Sequence, residues 1–234
     1  MLSVLHNVEI YNFTICSFCN TKIKMTSQNS YNIFTALKIE RKELIHSSML
    51  VAIASYNAEC KNLFFDMLAK KGDAQKINTL RSLIEEEHYV NWINAEHKLT
   101  ERVGNNVRDR GRADIWLGNR NKPSYRVIIE NKIDANNQDH QLRRYFRYLT
   151  GEKRVNAGLY YLCLKDDKDR LEGARISASR FKTESSDVDT EYYIITYQND
   201  IINWLSDVLE LQSLEPDFRM AVEQYLEVLN QITK

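Results

Sequence analysis

The sequence predicts an α/β fold: a helix, a three-stranded antiparallel meander, a second helix and further strands, with extra helices at both ends. Three observations predict it. Apolar residues recur every three or four positions from Leu37 onward, as on helices that bury one face. Two β-favouring segments, 112–118 and 125–131, flank a stretch rich in Gly, Asn, Lys and Pro, as in a hairpin. Residues 155–164 are apolar almost throughout, as in a strand covered on both faces.

Taken in order, a first helix is expected over residues 32–56, with Leu37, Leu44, Ile45 and Ile53 among its apolar positions. A second runs over 58–70 and ends at Gly72-Asp73, and a third spans 74–88. Rough alternation with Tyr, Val, Trp and Ile then marks a strand over 89–99, before the hairpin. A helix over 138–149 precedes the apolar strand. Residues 166–190 are polar and carry little pattern, so they are expected to be loop. A strand over 191–197 and helices over 199–212 and 216–232 close the chain. No internal repeat is visible, and only two prolines and seven glycines occur, so one domain over residues 25–234 is expected. Residues 1–24 read as an upstream extension, with Met25 as an alternative start.

The net charge is zero, but its distribution is uneven. From Lys98 to Arg154 there are 14 Lys or Arg against 7 Asp or Glu, whereas residues 183–234 hold 2 against 11. A basic middle and an acidic tail suit a chain that meets a polyanion on one side. Solvated surface explains the same counts equally well. Cys16 and Cys19 form a lone C-x-x-C without a second pair to complete a zinc site, and four cysteines give no disulfide framework. A reducing cytoplasm is therefore the expected compartment. No uninterrupted apolar run of 18 residues occurs, so no membrane span is expected.

The chemistry sits on the hairpin. A turn centred on Asn121 makes facing residue numbers sum to about 242, which sets Asp114 opposite residues 128–130. Alternation puts Glu130 and Lys132 on one face. Two carboxylates and an ammonium then meet beside apolar strands, where charges are costly unless paired or bound to a cation. Two hard oxygen donors suit Mg²⁺ or Mn²⁺. On spacing alone, a surface hairpin with a salt bridge fits as well.

Further motifs narrow the reading. Gly111-Arg112-Ala113-Asp114, then Val127-Ile128-Ile129-Glu130-Asn131-Lys132-Ile133, then Gln141-Leu142-Arg143-Arg144-Tyr145, resemble the PD-(D/E)XK nuclease superfamily. The similarity is closest to its bacterial and prophage group with an I-E-N-K-I segment followed by Q-L-x-x-Y. Glu43-Leu44-Ile45-His46-Ser47 resembles that group's E-x-x-H-S element, and Ile194-Ile195-Thr196-Tyr197 leading into Trp204 also fits. The resemblance covers roughly residues 36–232. Ala113 departs from the proline in the superfamily's name.

The resemblance implies a restriction-endonuclease-like core and a metal-dependent phosphodiesterase. It implies that Asp114 and Glu130 bind Mg²⁺ or Mn²⁺, with the Asn131 carbonyl and Glu43 as further ligands, and that Lys132 assists the attacking water. Gln141 and Tyr145, one helical turn apart, are placed beside the site. Arg144 and Arg147 are candidate phosphate contacts. His46 and Ser47 read as satisfied helix residues, and nothing in the spacing of His140 supports a ligand role. The expected partner is nucleic acid, foremost DNA cut internally, in phage defence or mobile-element biology. Two other readings are a nucleic-acid-binding module without catalysis and an effector activated by oligomerisation or a partner protein. For the last, the stripe Phe218, Val222, Tyr225, Leu226 and Leu229 offers an interface.

Overall fold

A computed structural model describes residues 32–86, 91–103, 106–118, 125–134, 138–151, 154–180 and 189–234. The extension over 1–24, Cys16, Cys19 and the turn at 119–124 lie outside them. The described residues form helices α1 (Ile33–Leu37), α2 (Glu43–Ala54), α3 (Ala58–Lys71) and α4 (Ala74–Glu86), then strands β1 (Ile93–Val103), β2 (Asn106–Leu117) and β3 (Tyr125–Lys132). There follow α5 (Gln141–Leu149), β4 (Val155–Cys163), α6 (Lys168–Ala178) and β5 (Tyr193–Thr196). A π-helical turn (Tyr197–Ile201) leads into α7 (Ile202–Leu209) and α8 (Pro216–Ile232).

One sheet has the order β1-β2-β3-β4-β5. The first three strands form an antiparallel meander, and β3, β4 and β5 run parallel. This is the restriction-endonuclease-like α/β core. Residues alternating along β2, β3 and β4 feed two separate cores. Ile115, Leu117, Val127, Ile129 and Leu162 pack with α2, α3, α4, α7 and α8. Trp116, Ile128, Leu159 and Tyr161 pack with α5 and α6. Both crossover helices lie on that second face, as right-handed connections between successive parallel strands require.

Three expectations need correction. The helix expected over 32–56 is two helices. Lys38 adopts a left-handed φ of 54° and returns its N–H to the carbonyls of Phe34 and Thr35, which closes α1. Residues 166–190 are not all loop, because α6 spans Lys168–Ala178. Asp167 caps it by accepting from Arg170 N, and it buries Gly173, Ala174 and Ser177. A stripe of such small residues raises no hydrophobic periodicity in the sequence. The β1–β2 ribbon is also longer than expected, reaching Val103 and Asn106. Lys98, Thr100 and Asp109 on it are exposed, so water on its outer part erases the alternation that marks a half-buried strand.

The stripe on α8 is used internally. Val222, Tyr225, Val228 and Leu229 are buried in the first core, and Phe218 stacks on Tyr56 at 3.6 Å between ring centroids. No helix among the described residues is long and apolar enough to cross a membrane.

Candidate active site

The observed hairpin pairs Ile115 with Ile129, Trp116 with Ile128 and Leu117 with Val127. Continued by one residue, this register sets Asp114 level with Glu130. The ladder is broken at that point. Asn131 N donates to Asp114 Oδ2 at 2.7 Å instead of to a strand carbonyl, so the carboxylate is aligned by the backbone of the facing strand.

Alternation along β3 points Glu130 and Lys132 to the α5 side, where Ile128 also lies, and Asp114 reaches toward them from β2. Glu130 is 0 % exposed and Lys132 7 %, and Lys132 Nζ sits 2.5 Å from Glu130 Oε1. The ammonium faces Oε1, while Glu130 Oε2 is buried without a hydrogen-bond partner among the described residues. Burial pushes Asp114 up to about 6, against the pull of the Asn131 N–H and the Lys132 ammonium. Burial pushes Glu130 higher still, and the neighbouring Asp114 charge adds to it. Lys132 is held above its ordinary value because the Glu130 carboxylate outweighs its desolvation. Two proton-hungry, partly unsatisfied carboxylates facing each other are a costly arrangement that a cation relieves.

Glu43 opens α2 and reaches the end of β3, where its Oε1 accepts from Ile133 N at 2.7 Å. Its charge is felt by Asp114 and Lys132. Among the described residues no three His, Cys, Asp or Glu side chains close into a metal cage, so a cation here would also need backbone or water oxygens. Gln141 Nε2 donates to Tyr145 OH at 2.9 Å, and Tyr145 OH donates to the Arg112 carbonyl at 2.5 Å. Burial and the Glu130 charge raise the Tyr145 phenol far above its usual range, so it remains a donor. Gln141 Oε1 is buried without a hydrogen-bond partner. Arg144 is half-buried and donates to the Asp139 carbonyl at 3.2 Å, while Arg147 is exposed.

Several supporting contacts carried no sequence signal, although Asn131, His46 and His140 were themselves singled out. The Asn131 side chain points to the opposite face of the sheet, donating to Ser47 Oγ and the Glu43 carbonyl and accepting from Tyr197 OH at 3.0 Å. His46 is buried between Tyr225 OH and the Glu40 carbonyl, and desolvation lowers its proton affinity. Glu96, on β1 with a φ of 53°, adds to the negative field at Asp114. His140 caps no ligand site; its Nδ1 is bonded to Ser179. Cys60 and Cys163 are buried, and desolvation pushes their thiols up to about 11 and about 12, away from nucleophilic use.

The family model of the PD-(D/E)XK nuclease superfamily matches residues 31–227. The chain belongs to this superfamily. No curated protein and no solved structure gives a significant match. The PD-(D/E)XK assignment makes the cluster at the end of β3 the place to look for nuclease chemistry. PD-(D/E)XK nucleases generally use divalent metals. The donor set fits such a group: Glu130 offers two buried oxygens, one of them without a hydrogen-bond partner, and Asp114 is held beside it.

Proposed function

We propose that this PD-(D/E)XK protein is an endonuclease that hydrolyses phosphodiester bonds in DNA with Mg²⁺ or Mn²⁺. The observation that carries the reading is that half-buried Asp114 and buried Glu130 meet across a broken hairpin ladder, with Lys132 against Glu130. Asp114, Glu130 and the Asn131 carbonyl would hold the cation, with Glu43 contributing from α2. When bound, such an ion acidifies water and offsets charge developing on the phosphate. Lys132 carries its proton beside Glu130, where it orients an attacking water and stabilises negative charge. Asn131 N fixes one Asp114 oxygen, which leaves the other for a ligand. Gln141 and Tyr145 brace β2 through the Arg112 carbonyl and hold the α5 side of the site closed to bulk water. The similarity to a bacterial and prophage group suggests phage defence or mobile-element biology as the setting.

The test is cleavage of supercoiled plasmid, linear duplex, single-stranded DNA and RNA in Mg²⁺, Mn²⁺ or EDTA, beside Glu130→Ala. Metal-dependent conversion of supercoiled plasmid to linear, lost in Glu130→Ala, is the expected result. Salt-sensitive binding without cleavage of any substrate would replace the enzyme with a binding module or a partner-dependent effector.

A further inference from the structure

A second polar cleft lies on the same face of the sheet, at the far end of β3. It has a volume of about 590 Å³ and is lined by β1, Trp116, Arg126, Tyr148 and Arg154. Arg126 and Arg154 share one phenol. The Arg126 guanidinium lies 5.7 Å from the Tyr148 ring centroid and donates to its hydroxyl at 2.8 Å. The Arg154 guanidinium lies 4.3 Å from the same ring and donates to the Tyr148 carbonyl at 3.0 Å. Lys98 lies at the rim, paired with Asp109 at 3.2 Å. The floor is rigid, because His97 stacks on Trp116 at 4.4 Å and Arg126 lies 5.9 Å from the same indole.

Among its described lining residues, donors outnumber acceptors. Arg126 Nε and Trp116 Nε1 are buried without a hydrogen-bond partner. Glu96 is the carboxylate among the described lining residues, and it is paired with Arg112 at 3.3 Å. Two guanidiniums held around one ring repel each other, and a donor-rich pocket with a net positive wall calls for an anion with several oxygens. We propose that this cleft binds a backbone phosphate of the nucleic-acid strand, as a subsite separate from the reacting phosphodiester, with Arg126 and Arg154 as its ligands. The inference rests on the nuclease reading and adds the path of the substrate to it.

Distance decides which phosphate is meant. Arg126 and Glu130 are four residues apart on one face, roughly 13 Å along the strand. A duplex rises about 3.4 Å per step, so this span equals about four base pairs if its axis follows β3. The cleft is therefore too far to touch the scissile group and engages a flanking phosphate.

The experiment is duplex DNA binding by fluorescence anisotropy in EDTA over a salt series, for the full chain and for Arg126→Gln, Arg154→Gln and the remote Arg175→Gln. Each cleft substitution is expected to weaken binding roughly tenfold at low salt and to reduce the salt slope by about one, while Arg175→Gln leaves both unchanged. Arg154 is half-exposed, so its variant carries the test should Arg126→Gln fail to fold. Folded cleft variants with the affinity and slope of the unsubstituted protein would overturn the subsite and leave the nuclease reading standing. An unsubstituted protein without salt-dependent binding to DNA or RNA would overturn both.

Discussion

Replacing Glu130 by Gln is expected to make the metal-free protein more stable at alkaline pH and to abolish its response to metal. In the unfolded chain this carboxyl ionises near its ordinary value of 4.5, whereas in the fold burial and the Asp114 charge push it up to about 8. A carboxyl raised on folding contributes fully below 4.5 and loses that contribution as pH rises through about 8. At pH 9 the ionised side chain then opposes folding by at most on the order of 5 kcal/mol. Relaxation and water entry reduce this to a few kcal/mol, equivalent to roughly 5–10 °C in melting temperature for a chain of this size. Gln keeps the shape and an oxygen for Lys132 but has nothing to ionise. Thermal melts in EDTA should show Glu130→Gln above the unsubstituted protein at pH 9, with the gap closing toward pH 5. Added Mg²⁺ or Mn²⁺ should raise the unsubstituted protein and leave the variant unmoved. A variant that melts no higher at pH 9, or that keeps its metal shift, would refute the placement of Glu130 as a strained, cation-seeking carboxylate.

Other perturbations test neighbouring links. Because Asp114 and Glu130 are both raised, a cation must displace protons at neutral pH, so titration calorimetry should find metal affinity increasing from pH 6 to pH 8; a flat profile would contradict it. Lys132→Met should lower cleavage roughly 10²- to 10³-fold while metal-induced stabilisation persists, and near-normal cleavage would remove Lys132 from the chemistry. Tyr197→Phe leaves Asn131 Oδ1 buried without its donor and should cost about 1–3 kcal/mol, read from denaturant midpoints. Asp167→Ala should cost about 1 kcal/mol by uncapping α6 and leave metal binding intact.

The legible parts of the molecule were those with strong local chemistry. Alternation and turn residues placed Asp114 opposite residues 128–130, and the actual register, Ile115 with Ile129, falls within that window. What stayed hidden depends on distant partners. The Asn131 side chain is fixed by Ser47 and Tyr197, 84 and 66 residues away, and no spacing rule relates them. Helix α6 was missed because its buried stripe is Gly173, Ala174 and Ser177, which a search for Leu or Ile spacing passes over. It is also what a parallel β4–β5 pair demands, since parallel neighbours need a long crossover.

Asn131 links the two faces of the sheet through a single residue. Its N–H aligns Asp114 on the α5 side, while its amide grips α2 and Tyr197 on the other. The Asp114 carboxylate is thereby registered against the helical layer that also carries Glu43. A chain whose layer has not yet docked lacks this anchor, and its two acids, left to themselves, repel. On the proposed reading, the site is complete only when both layers are packed on the sheet, because one residue ties them together.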